Sequence, residues 1–177
     1  LPVEQRQYHF DHPLKMSVNI SPRQLMQPGI VDAVGQMMRK HSLAHGTLAL
    51  EITESALAED AATAMKVIKE LKMLPVQLLL DDFGTGYSSL GHLHRFPVDT
   101  VKIDRSFLAK DPLDPSGSNV LAAVVSLARN LGKGVIVEGI GDSSEEAEAN
   151  VRRIVEKADI GARTQFVSDP HEQQRIW

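Results

Sequence analysis

The chain lacks cysteine, long apolar runs and any excess of positive charge, and each absence excludes something. Without cysteine, neither a disulfide nor a thiolate metal site can form. No apolar run approaches the roughly 20 residues of a membrane-spanning helix, so no membrane segment is predicted. The net charge of −4 argues against a surface for polymeric nucleic acid. An anionic ligand would therefore need metal ions or a few well-placed cations.

What remains is the composition of one globular domain. The chain has 177 residues, of which 42% are hydrophobic and 24% are charged. These values fit one domain with a substantial core, and we expect residues 1–177 to form a single domain. Because the chain begins with Leu1 rather than Met, we also expect it to be a piece of a longer protein.

Short apolar runs alternate with longer amphipathic stretches, which indicates an α/β fold with a parallel sheet. A barrel and a doubly wound sheet both fit this pattern. A complete (β/α)₈ barrel needs roughly 250 residues, so six units would form a barrel without its first strand or strands. The predicted strands are Leu14–Ile20, Leu48–Thr53, Val76–Asp82, Thr100–Asp104, Gly134–Gly139 and Ala162–Val167. The predicted helices are Asp60–Leu74, Asn119–Leu131 with Ser116 or Ser118 as its cap, and an acidic helix from Ser143 or Ser144 to about Lys157.

Polar residues stand where the predicted strands end. Because the carboxyl ends of parallel barrel strands share one rim, these side chains are expected to meet there. Oxygen ligands without cysteine favour Mg²⁺ or Mn²⁺, and several carboxylates beside a lysine suit a two-metal phosphoester hydrolase. The residues are Asn19, Glu51, Asp81, Asp82, Lys102 and Glu138.

Each of these residues also has a simpler interpretation. Asp81 and Asp82 could be solvated acids at a turn, Lys102 an exposed strand lysine, and Glu138 an ordinary acid at a strand end. Asp104 could pair with Arg105 on the surface or contact a ligand. His92 and His94 resemble a metal pair, but residues two apart on a helix point in different directions, so solvent-facing histidines are the better interpretation.

Four motifs in this order resemble the EAL-domain family, which hydrolyses the bacterial second messenger cyclic di-GMP. The fold implied by the resemblance is a modified TIM barrel with one antiparallel strand. The resemblance extends from about Leu14 to Gly139. The motifs are SVNISPRQL at 17–25, LEITES at 50–55, DDFGTGYSSL at 81–90 and VKIDRSF at 101–107.

The resemblance implies a role for each matching residue. Asn19, Glu51 and Asp81 match ligands of a first metal ion, and Asp82 matches a ligand of a second. Lys102 matches the lysine that contacts the metal-bound water and the phosphate region, and Glu138 matches the proposed general base. Glu54 matches the carboxylate that holds the Asp-Asp-Phe-Gly loop. Arg23 and Asp104 are the candidate substrate contacts; for Arg23 the alternative is a loop cap.

Three departures from the family pattern keep a second function open. The name-giving Glu-Ala-Leu motif is absent before Asn19, which truncation would explain. The usual Glu-Gly-Val-Glu-Thr reads Glu138-Gly139-Ile140-Gly141-Asp142, and Ala162 or Arg163 stands where the family has glutamine. The first hypothesis is hydrolysis of cyclic di-GMP to linear pGpG by a two-metal mechanism. The alternative is a degenerate EAL domain that binds cyclic di-GMP or a protein partner without hydrolysis.

The resemblance also carries expectations about the whole protein. It implies a cytoplasmic bacterial protein that carries other signalling domains besides this one. It further implies a homodimer, with the contact near the Asp81–Gly84 segment.

Overall fold

A computed structural model describes residues 15–84, 90–104, 115–138, 149 and 164–167. The strands are β1 (Met16–Ile20), β2 (Leu48–Thr53), β3 (Gln77–Phe83), β4 (Thr100–Ile103), β5 (Gly134–Glu138) and β6 (Thr164–Val167). The helices are α1 (Pro22–Leu25), α2 (Ile30–Lys40), α3 (Glu54–Glu59), α4 (Ala61–Leu71) and α5 (Pro115–Asn130), with a 3₁₀ helix over Leu90–Arg95. No helix among these residues is long and apolar enough to cross a membrane.

The six strands form one parallel sheet whose spatial order follows the chain, from β1 to β6. A doubly wound sheet reverses its strand order at one point, and this sheet does not. The order is therefore that of consecutive barrel strands. All five strand pairings are parallel, so the antiparallel strand that the resemblance implies is not among the described strands.

The two faces of the sheet bury different sets of side chains. One face packs against the helices through the main core, to which Leu50, Leu80 and Val137 belong. The opposite face carries a small apolar cluster of Ala49, Leu79 and Ile136. Because side chains alternate along a strand, the residues two positions further on, Glu51, Asp81 and Glu138, share the face of that cluster. Strand β2 is buried on both faces, since its first five residues are all buried.

The helix predictions need correction at two places. Helix α5 begins at Pro115, so Ser116 and Ser118 lie inside it and neither caps it. A proline in the first turn is compatible with this start, because its fixed φ suits a helix. Helices α1, α2 and α3 were not predicted. The predicted acidic helix of 143–157 lies outside the described residues except for residue 149, which is helical.

Two helices begin with capping hydrogen bonds that their sequences supply. The Asp60 side chain accepts a hydrogen bond from the Thr63 backbone N–H at 3.1 Å and caps α4. Ser21 and Gln24 form a reciprocal capping box at α1, which sets the direction in which the chain leaves β1.

Candidate metal and phosphodiester site

Lys102 lies at the centre of the site, hydrogen-bonded to carboxylates from three other strands. Its Nζ atom is 2.7 Å from Glu51 Oε2, 2.8 Å from Asp81 Oδ1 and 2.9 Å from Glu138 Oε1. The four side chains come from β4, β2, β3 and β5, at or near the carboxyl end of each strand. The sheet therefore gathers around one ammonium group side chains as far apart in sequence as Glu51 and Glu138, which are separated by 87 positions.

This lysine is buried together with one of its partners. Lys102 and Glu51 each expose only 2% of their surface, whereas the side chains of Asp81 and Glu138 expose 13% and 17%. Burial alone would lower the pKa of Lys102, but its hydrogen bonds to Asp81 and Glu51 and their negative charges together outweigh burial and raise the pKa above the ordinary value. Lys102 is therefore charged at neutral pH, and the interpretation of it as an exposed strand lysine is wrong.

Asp82 follows Asp81 in an unusual backbone conformation. Its φ angle of +54° lies in the left-handed region, which aspartate adopts more readily than most residues. Its backbone N–H donates a hydrogen bond to Asp81 Oδ1 at 3.0 Å, and its side chain is exposed. Desolvation, followed by the negative charges of Asp81 and Asp104, raises the pKa of Asp82. The negative charges of Asp81 and Asp104 would also attract a cation to this position.

Glu54 is hydrogen-bonded to Gly84, the first residue after β3. Its Oε2 atom accepts a hydrogen bond from the Gly84 backbone N–H at 2.9 Å, and the residue is 4% exposed. Glu54 is the first residue of α3, directly after β2, so the contact ties the end of one strand to the end of the next. The role that the resemblance implies for Glu54, holding the Asp-Asp-Phe-Gly loop, stays a prediction.

The carboxylates fit a divalent cation. Oxygen atoms of Asp81, Asp82 and Glu138 all lie within 4.8 Å of one another, close enough to ligate one ion. The described part of the site offers only oxygen donors besides Lys102, which is the donor chemistry that Mg²⁺, Mn²⁺ and Ca²⁺ prefer. The small apolar cluster of Ala49, Leu79 and Ile136 lies on the same face of the sheet.

The other predicted residues lie around this centre. Asn19 is exposed on β1 and pairs in register with Glu51, so it lies beside the site. Asp104 directly follows β4, and its charge acts on Asp82. Arg23 is exposed on α1, and no contact among the residues that the structure describes places it in the site. His94 is exposed, as expected; the side chain of His92 lies outside the described part of the chain.

Sequence reasoning missed Ser17. Its hydroxyl donates a hydrogen bond to Glu51 Oε1, the oxygen that Lys102 does not contact. The signal was its position two residues before Asn19, which puts it on the same face of β1. Nothing in its residue type distinguished it from other strand serines.

The fold and the site together define a class: a parallel α/β barrel protein with a cluster of carboxylates that could hold a divalent cation near the carboxyl ends of its strands. The chain belongs to the EAL domain family, whose model matches residues 3–152. The predicted family and the predicted barrel fold are thereby confirmed.

Three similar proteins illustrate the match. The cyclic di-GMP phosphodiesterase PdeR of Escherichia coli K12 is 39% identical over 134 residues, which are 76% of this chain and 20% of PdeR. The structure of the PaMucR phosphodiesterase in complex with c-di-GMP superposes with a TM-score of 0.71 at 35% identity, covering 79% of this chain and 61% of that one. The manganese and cyclic di-GMP complex of Klebsiella pneumoniae BlrP1 gives a TM-score of 0.73 at 26% identity, covering 87% and 38%. The chain thus spans about a fifth of the curated relative and less than two thirds of these solved structures.

Proposed function

We propose that this domain hydrolyses cyclic di-GMP to linear pGpG and depends on two Mg²⁺ or Mn²⁺ ions. The observation that carries the proposal is the meeting of Lys102 with Glu51, Asp81 and Glu138 at one sheet edge. The similar PaMucR structure holds c-di-GMP, and the similar BlrP1 structure holds manganese and cyclic di-GMP. These complexes support the substrate and the kind of ion proposed for this chain.

Each site residue has a proposed role. Asn19, Glu51, Asp81 and Asp82 would hold the cations, which supply Lewis-acid stabilisation of the charge on the phosphate. Glu54 keeps the loop after β3 in place through the Gly84 N–H.

Glu138 takes a proton from the attacking water. The oxygen of this water bonds to phosphorus while the bond from phosphorus to the 3′ oxygen breaks. The leaving 3′ oxygen takes up a proton from solvent. Lys102 is charged and lies 2.9 Å from Glu138, so it orients this carboxylate and places positive charge beside the phosphate. Arg23 and Asp104 are proposed as outer contacts to the substrate.

A second function is binding of cyclic di-GMP or a protein partner without hydrolysis. The specific observation in its favour is the sequence departure after Glu138, where Gly141 stands in place of the second glutamate of the family pattern. The replacement of the family's glutamine by Ala162 or Arg163 adds to it. This candidate predicts that cyclic di-GMP binds in the absence of metal.

Incubation of the chain with cyclic di-GMP and Mg²⁺ or Mn²⁺, followed by chromatography of the product, tests the proposal. Linear product that requires metal supports hydrolysis. Asp81→Asn is expected to abolish it while the circular dichroism spectrum stays unchanged. Asp32→Asn is the matched control, because it makes the same chemical change on the exposed first turn of α2. Full activity of Asp81→Asn would refute the metal assignment. No product, together with binding detected by calorimetry, would establish the second function.

We also propose the setting in which this domain acts. It works in the bacterial cytoplasm, where its substrate is a second messenger, and it is joined to other signalling domains. The homodimer, with its contact near residues 81–84, stays part of the same proposal, which sedimentation analysis would test.

A further inference from the structure

Both carboxylate oxygens of Glu51 have a partner. Oε2 accepts a hydrogen bond from Lys102 Nζ at 2.7 Å, and Oε1 accepts one from the Ser17 hydroxyl. Glu51 is 2% exposed, so water has little access to either oxygen. The terminal torsion of a glutamate is broad and roughly two-fold, and two different donors at the two oxygens restrict it to one orientation.

The strand register explains how Ser17 reaches Glu51. Ser17 is the partner of Ala49, and Asn19 is the partner of Glu51. Ser17 and Glu51 therefore lie diagonally across β1 and β2 on one face of the sheet. Ala49 carries only a methyl group, which leaves room for the Glu51 side chain to lean toward Ser17.

We propose that Ser17 is a positioning residue that fixes the rotation of the Glu51 carboxylate for cation binding. The inference rests on the proposed function, since Glu51 is one of the proposed ligands. Without the hydroxyl, Oε1 is left as a buried acceptor without its partner, and the carboxylate turns to regain a hydrogen bond. The ligand then no longer presents the orientation in which Lys102 and Ser17 together hold it.

The pair Ser17→Val and Ser17→Thr isolates the hydroxyl. Both side chains are β-branched, have nearly the same shape and suit a strand, but only threonine keeps the donor. Titration calorimetry with Mn²⁺ alone, without nucleotide, measures the dissociation constant of the ion for each full chain. Loss of an outer hydrogen bond to a metal ligand typically weakens metal binding by about 10- to 100-fold. We expect a weakening of that size for Ser17→Val and a value close to wild type for Ser17→Thr.

Other outcomes separate this inference from the proposed function. Equal Mn²⁺ affinity of the two variants and wild type would overturn the role of Ser17 and leave the proposed function standing. No Mn²⁺ binding by the wild type would overturn both. Thermal unfolding in EDTA shows whether each variant is folded. Should Ser17→Val not fold, Ser17→Ala replaces it in the comparison with Ser17→Thr and is read in the same way.

Discussion

Replacement of Lys102 with methionine removes the charge at the centre of the site but keeps an unbranched side chain of similar length. The substitution takes away three charge-assisted hydrogen bonds, at 2.7, 2.8 and 2.9 Å. Asp81 and Glu138 are partly exposed and can turn to water, whereas Glu51 is 2% exposed and cannot. One carboxylate is therefore left buried with its ammonium partner gone. Breaking a buried ion pair in this way costs about 3–5 kcal/mol of unfolding free energy.

Urea denaturation in EDTA, followed by circular dichroism, measures this loss. Lys72→Met is the matched control, since the Lys72–Asp99 ion pair has side chains that are 38% and 31% exposed. An exposed pair contributes only about 0.2–1 kcal/mol. A loss for Lys102→Met no larger than that of the control would refute the reasoning, because Glu51 would then not depend on the lysine for its charge balance.

Addition of Mn²⁺ extends the same experiment. A cation bound among the carboxylates replaces the missing positive charge and stabilises the folded state by mass action. We therefore expect Mn²⁺ to raise the unfolding free energy of Lys102→Met more than that of the wild type. An equal rise in both proteins would show that the lysine and the ion do not share the carboxylates.

Two further predictions concern the loop after β3 and the opposite end of the sheet. Glu54→Ala removes the acceptor of the Gly84 N–H, and a hydrogen bond to a charged group contributes about 1.5–3 kcal/mol. Hydrogen exchange of the Gly84 amide, measured by NMR, should therefore be roughly 10- to 100-fold faster. Unchanged exchange would contradict the anchoring role. Lys133 donates to the carbonyl oxygens of Phe96 at 2.7 Å and Val98 at 3.0 Å, so Lys133→Met should lower the unfolding free energy by about 1–3 kcal/mol. Burial lowers the pKa of Lys133, so the folded protein gives up this proton at lower pH than the unfolded chain. The advantage of wild type over Lys133→Met in urea denaturation should therefore grow as pH rises toward the ordinary lysine pKa of 10.5, and a shrinking difference would contradict the sign.

The sequence predicted the sheet because buried parallel strands have a local signature. The run Leu48–Thr53 carries that signature in four of its six residues, and the observed strand has the same bounds. The predicted cap of α5 was wrong for a local reason as well. A proline in the first turn and a serine cap are both common helix starts, so the local sequence did not decide between them. Helix α2 was missed although it contains apolar residues at helical spacing, with Val34 and Met38 buried.

The sequence by itself determined which residues stand at the strand ends, and hence which could meet at one rim. Glu51, Asp81, Glu138 and Lys102 were predicted on that basis, and the sheet brings the three carboxylates within hydrogen-bonding distance of the lysine. Only the tertiary structure decided that the lysine is buried among the three carboxylates and that Ser17 holds the far oxygen of Glu51. The reason is physical: the order of residues along a strand fixes the face on which each lies. The distances between strands, the burial and the choice of hydrogen-bond partner depend on strand register and on packing between segments far apart in the chain.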